Sequence, residues 1–274
     1  MNSIRKKILI KILMLFAMTG NHIAILFGNL KEPHWRLLLG VGYSVAFVMC
    51  YYLAEGYTYT SSRRRYGLRL AGFAVLSQYP YYAAFRDSPV TSWWSLSMMF
   101  TLLVSFLLLE ARTYFRGQAY LRALCAALIL LTSVSDWPLL GPIMTLLFAR
   151  GREEGEPLRY YRHCFAIFAM TVLLSNASEF TSPFPFILFS CIDMTGPLLA
   201  WGLLRWYETG IISAHIENEQ KDSDNKQQLP AAGSENDPRQ KASIYPTAVL
   251  GKWKWIFYLY YPAHLMLLAW LQRS

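Results

Sequence analysis

Apolar residues recur along this chain in runs of roughly the twenty positions a helix needs to cross a bilayer. They fall near residues 8–28, 36–55, 68–85, 92–110, 119–134, 137–149, 163–180, 185–204 and 254–272. Polar stretches separate them, and no strand-like alternation replaces them. The pattern predicts an all-α, polytopic helical bundle of about nine transmembrane helices. The weak point is Asp136-Trp137, where Pro138 and Pro142 interrupt the pattern, so this pair reads either as two tilted spans or as one re-entrant hairpin. Eight or ten spans are the alternatives.

Charge gives an independent reading of the same pattern. Lys and Arg favour cytoplasmic loops. With the N-terminus inside, 22 of the 26 basic residues fall on one side, leaving only Lys31, Arg36, Arg86 and Arg273 on the other. The asymmetry predicts a cytoplasmic N-terminus, an odd number of spans and an external C-terminus. It also accounts for most of the net charge of +9 without a nucleic-acid partner. Composition agrees, with 54% hydrophobic residues, 16% charged residues and a mean hydropathy of +0.25. A soluble globule of this length carries more charge.

The ends and loops fit one membrane domain over residues 1–274. The N-terminal apolar run is full length and has no small-residue cleavage pattern behind it, so it reads as a retained first span. Residues 205–252 read as a cytoplasmic loop. Within them, 215–243 is rich in Asn, Gln, Asp, Glu, Lys and Ser, and is predicted to be a disordered linker for lack of surface to bury. The four cysteines lie in or beside spans without paired spacing, so neither a disulfide nor a zinc framework is expected, and no metal site is predicted.

Polar groups inside the spans are the candidates for chemistry, since ionisable residues at membrane depth usually face a protein interior or a wet cavity. The last span carries His264 two residues after Pro262, behind Phe257, Tyr258, Tyr260 and Tyr261. Pro262 cannot donate to the carbonyl of Tyr258, which gathers backbone and side-chain polarity at one depth. Asn21 and His22 lie about fourteen residues from the inner end of the first span, hence in its outer half at roughly 1.5 Å per residue. Gln78, Asp136, Asn176 and Glu179 fall on that same outer side, whereas Asp193 and Glu55 sit at other depths. The bland readings are a helix-to-helix hydrogen bond for His22, an aromatic belt for the Tyr and Trp residues, and an inside-positive anchor for Arg63, Arg64, Arg65 and Arg69. The motifs of soluble enzymes are absent: no Gly-rich phosphate loop, no Gly-x-Ser-x-Gly elbow and no zinc helix.

The segment Lys254-Trp-Ile-Phe-Tyr-Leu-Tyr-Tyr-Pro-Ala-His264-Leu resembles the terminal Phe-Tyr-x-x-Tyr-Pro-x-His-Leu span of the TraX family. Asn21-His22 resembles the end of that family's opening helix. Glu55-Gly56, the Arg63 cluster and Ser77-Gln78-Tyr79-Pro80 resemble its second and third spans, while Phe100-Thr-Leu-Leu and Trp137 to Phe148 match more loosely. The chain departs from the family at Asn21, where an aspartate is usual, and at Tyr43 and Phe47, where an Arg and a Pro are expected. Asn21 can hydrogen-bond the adjacent histidine but supplies no negative charge.

The resemblance implies an integral membrane acetyltransferase of the bacterial inner membrane. Its donor would be acetyl-CoA, and its acceptor the N-terminal amine of a pilin subunit or a related extracytoplasmic amine or hydroxyl. In that reading His264 is general base or acyl carrier and His22 its partner, while Asn21 and Gln78 are neutral donors near the developing oxyanion. Arg63, Arg64, Arg65 and Arg69 would attract the CoA phosphates. The pairing of histidines requires the first and last spans to be neighbours. The rival readings are a membrane transporter or channel, and a non-catalytic membrane partner in pilus assembly. No internal repeat favours the transporter.

Overall fold

The computed structural model describes residues 3–86, 95–115, 118, 120–177, 183–226 and 253–274. Glu179 lies outside them, as does 227–243 of the predicted linker. The described residues are helical throughout, apart from turns and one isolated bridge between Leu96 and Ser135. In chain order the helices are α1 (Ser3–Phe27), α2 (Pro33–Gly42), α3 (Ser44–Tyr59), α4 (Arg63–Phe85), α5 (Met98–Tyr114), α6 (Leu121–Leu131), α7 (Leu140–Glu153), α8 (Tyr161–Ser175), α9 (Pro183–Asp193), α10 (Thr195–Lys226) and α11 (Trp253–Leu271). Among the described residues, each apolar run read from the sequence falls mainly on a helix or on two helices in line. The start of the expected linker is a correction: its residues 215–226 continue the backbone of α10.

Among the described residues, three helical stretches are long and apolar enough to cross a membrane: Ile4–Phe27, Pro33–Tyr59 and Pro183–Ile211. Large apolar side chains such as Phe16, Val75 and Phe184 point outward, where a soluble protein would place polar ones. This is the surface of a membrane protein. Its centre is aromatic, with Phe47, Tyr51, Phe148 and Tyr207 fully buried. Around it, hydroxyls such as those of Thr19, Ser105 and Thr145 donate to carbonyls one turn back in their own helices, which satisfies them without water.

Two of the long stretches are broken where they cross. One breaks at Tyr43, the other between Asp193 and Thr195, and the breaks pack together through glycine. A Cβ on Gly40 would meet the Ile192 carbonyl oxygen at 2.6 Å, one on Gly196 the Gly40 oxygen at 2.3 Å, and one on Gly42 the Asn21 Cβ at 2.2 Å. Small residues are what allow membrane helices to approach this closely. Elsewhere α11 packs along α4, where Phe73 stacks on Tyr258 with ring centroids 4.8 Å apart, and it touches α1. Around Asp136, α6 and α7 both pack on α5 rather than forming a hairpin with each other, and α6 contributes nothing to the core.

The basic helix ends converge at one end of the bundle. Lys7 on α1 pairs with Glu55 on α3 at 2.5 Å, and Tyr207 on α10 donates to that carboxylate at 2.7 Å. Arg152 on α7 faces Glu208 on α10, and Arg112 on α5 pairs with Glu153 on α7. We refer to this as the inner end, and to the end bearing His22, Arg36 and Asp136 as the outer one.

Candidate functional site

His22 and His264 meet inside the bundle. Nδ1 of His22 lies 2.8 Å from Nε2 of His264, and the ring planes are within 5° of parallel. Both residues are about 95% buried. One turn away the Thr19 and Tyr260 hydroxyls are 2.7 Å apart, so α1 and α11 are tied by two polar contacts in register. The neighbouring first and last spans that the two-histidine reading required are therefore present.

The bonding fixes the tautomers of the neutral pair. Nδ1 of His264 is 2.9 Å from the Tyr260 carbonyl, which can only accept, so this nitrogen carries the proton. Nε2 of His264 is then a lone pair and accepts from Nδ1–H of His22. That leaves Nε2 of His22 as the free base of the pair. His22 lines a cavity of about 440 Å³ at the outer end, whereas His264 sits behind it, outside the lining. The order of the two rings is the reverse of the one expected from sequence: His22 faces the space and His264 supports it.

The outer cavity also collects Asn21, Arg36, Tyr43, Tyr81, Asp136, Trp137 and Asn176. Asn21 donates one amide hydrogen to the Leu39 carbonyl at 3.0 Å, which leaves the second N–H for another acceptor. Arg36 is held by Asp193 through two nitrogens and donates to Asn176 Oδ1 at 2.7 Å, while Asn176 Nδ2 reaches Asp193 Oδ2 at 3.2 Å. Reasoning from sequence missed Arg36 altogether and placed Asp193 at another depth. The available signal was an Arg outside the inner-positive pattern facing a carboxylate in a span.

A second cavity, about 520 Å³, lies at the inner end. Its wall carries Lys7 and Lys11 from α1 and Arg65 and Arg69 from α4; no carboxylate is among the lining residues, though Lys7 is paired with Glu55 behind the wall. Tyr52, Tyr59, Tyr66, Phe257 and Tyr258 add aromatic surface, and Met14, Met18, Met49, Met98 and Met99 line its deeper part. Its walls are thus cationic and aromatic near Arg65 and Arg69 and apolar in the depth. Met18, Val45, Met98 and Tyr261 line both cavities, so the two share one largely apolar wall.

The expected site residues divide accordingly. Arg65 and Arg69 line the inner cavity, but Arg63 is turned to Glu110 and the Tyr57 ring, and Arg64 is not on the wall. Gln78 stands on neither wall; its amide pins the segment before α5, donating to the Ser95 carbonyl at 2.9 Å and accepting from the Ser97 N–H at 3.1 Å. Lys7 and Lys11, read from sequence only as topology signals, join the cationic wall.

The TraX protein family model matches residues 6–200, which covers α1 to α9 and the beginning of α10. No curated protein and no solved structure matches the chain.

Proposed function

The chain belongs to the TraX family, and from that premise we propose that it is a multi-pass inner-membrane acetyltransferase. It takes the acetyl group of acetyl-CoA from the cytoplasmic side. It transfers the group to the N-terminal amine of a pilin subunit, or to a related extracytoplasmic amine or hydroxyl. The observation that carries this reading is the His22–His264 pair with its free base facing the outer cavity, one wall away from an inner cavity that Lys11, Arg65 and Arg69 line.

In this reading Nε2 of His22 takes the proton from the acceptor nitrogen or oxygen as that atom bonds to the thioester carbonyl carbon. The carbonyl oxygen becomes an oxyanion, which the second N–H of Asn21 is free to approach. When the tetrahedral adduct collapses, the carbon–sulfur bond breaks and His22 returns its proton to the departing thiolate. His264 does not touch the acceptor. Its Nε2 holds Nδ1–H of His22 and steadies the imidazolium while it exists. Lys11, Arg65 and Arg69 hold the donor's phosphates, with Lys7 held behind them by Glu55, and Tyr261 with Met18 and Met98 keeps water out of the junction.

The two facing cavities also suit the transport reading, so the experiment separates them. Purified protein in proteoliposomes, given labelled acetyl-CoA and a primary amine on the opposite side, is expected to release CoA and yield the N-acetyl amine. Movement of label across the membrane without CoA release overturns acyl transfer in favour of transport, and neither signal favours the assembly partner.

A further inference from the structure

Asp136 lines the outer cavity and has no part in the steps above. It lies in the turn between α6 and α7, where its backbone N–H donates to the Leu96 carbonyl at 2.7 Å and its own carbonyl accepts from the Thr101 hydroxyl. Two residues just after it, Trp137 and Leu139, have φ of 61° and 60°, in the left-handed region that residues with side chains rarely adopt. Such conformations persist where the surroundings impose them, and they gather at ligand clamps. Here Trp137 is stacked on Phe168 at 5.6 Å and edged by Tyr43 at 5.8 Å. The strained turn thus sets a carboxylate and an indole side by side on the cavity wall.

Among the described residues, no Lys, Arg or His is paired with the Asp136 carboxylate. Arg36 stands on the same wall but is spent on Asp193 and Asn176. The rings of Tyr43, Tyr81 and Tyr261 lie within electrostatic reach of Asp136 and line the same space. Asp136 is half-buried; a carboxylate partly withdrawn from water without a counter-ion carries a desolvation cost, which is relieved when a cation arrives. Aromatic faces beside it attract the same kind of guest.

We propose that Asp136, with Tyr43, Tyr81 and Trp137, is the seat of the acceptor's protonated primary amine, which selects an amine over a hydroxyl. The fate of the bound amine rests on the acyl-transfer reading; its binding does not. Of the two protons the ammonium sheds in becoming an amide, one passes to the Asp136 carboxylate and on to the outer solvent. The other passes to His22 and then to the thiolate.

The test uses the full chain in nanodiscs and two probes of one shape, alanyl-alanine amide and its 2-hydroxypropionyl analogue, titrated by saturation-transfer NMR. The wild type is expected to bind the amine at least about tenfold tighter than the hydroxyl analogue. Asp136→Asn is expected to weaken amine binding about ten- to a hundredfold and leave the analogue unchanged. Equal binding of both probes to the wild type, no amine binding, or undiminished amine binding by a folded Asp136→Asn overturns the seat. If that variant does not fold, the wild-type comparison of the two probes decides. CoA release is measured separately. Amine selectivity without CoA release sustains the seat and overturns acyl transfer, and CoA release without amine selectivity does the reverse.

Discussion

His22 Nδ1 and His264 Nε2 stand 2.8 Å apart across 242 positions of sequence, and the Tyr260 carbonyl on the far side of His264 decides which nitrogen of the pair is free. A single hydrogen-bonded chain thus runs from helix backbone through two rings to the outer cavity.

This chain predicts unequal effects for its two rings. His22→Ala is expected to lower acetyl transfer by about 10²–10⁴-fold, the usual worth of a general base. His264→Gln, whose amide oxygen can still accept from Nδ1–H of His22, is expected to cost less. The pH profile separates the roles further: at saturating amine, the wild-type rate falls as acid protonates His22, and a His22→Ala residual rate lacks that limb. Equal losses in both variants by a CoA-release assay would remove His22 from the role of base.

The inner cavity divides the arginine cluster. Arg65→Ala and Arg69→Ala are each expected to raise the KM for acetyl-CoA about tenfold, the cost of one charge-assisted contact, with a smaller change in kcat. Arg64→Ala is expected to leave KM within about twofold, because its side chain is not on the wall. Steady-state kinetics over a range of donor concentrations distinguishes this from a diffuse electrostatic effect, in which all three would behave alike.

Arg36 and Asp193 are expected to fail together rather than separately. Arg36→Ala leaves a carboxylate that is only 2% exposed without its cation, a change worth about 3–5 kcal/mol. Arg36→Lys restores charge but not the two-nitrogen grip, so it rescues only in part. The double change Arg36→Ala with Asp193→Ala is expected to unfold at a higher temperature than Arg36→Ala alone. Thermal unfolding in detergent measures this, and additive losses would show that the pair is not coupled.

Close helix crossing sets a fourth expectation. Gly196→Ala puts a Cβ 2.3 Å from the Gly40 carbonyl oxygen, backbone that cannot swing aside, and is expected to destabilise the protein by about 1–3 kcal/mol. Gly72→Ala, where a Cβ would meet nothing within 4 Å, is the control and is expected to leave the unfolding temperature unchanged.

Much of this arrangement was legible in the chain. Hydrophobic runs place the helices because each must satisfy its own backbone, a local demand that local sequence expresses. The basic residues at the inner end, and the polar residues read as one outer layer, follow from depth alone, which is countable along a helix. His264 beside Pro262 marked the site for the same reason.

Lateral arrangement was not countable. Nothing in the spacing of Arg63, Arg64, Arg65 and Arg69 says which two face the cavity, because that depends on the rotation of α4 against α11 and α5. Gln78 has the depth of a site residue, yet it holds the segment before α5. Arg36 looked like a stray charge until α2 and α9 were brought together by glycines far apart in sequence. The order of the histidines turned on a single backbone carbonyl. Sequence by itself determined which residues lie in helices, at what depth, and in which family. Only the tertiary structure decided which of them meet, because helix neighbours and rotations are set by contacts between distant segments that no local pattern encodes.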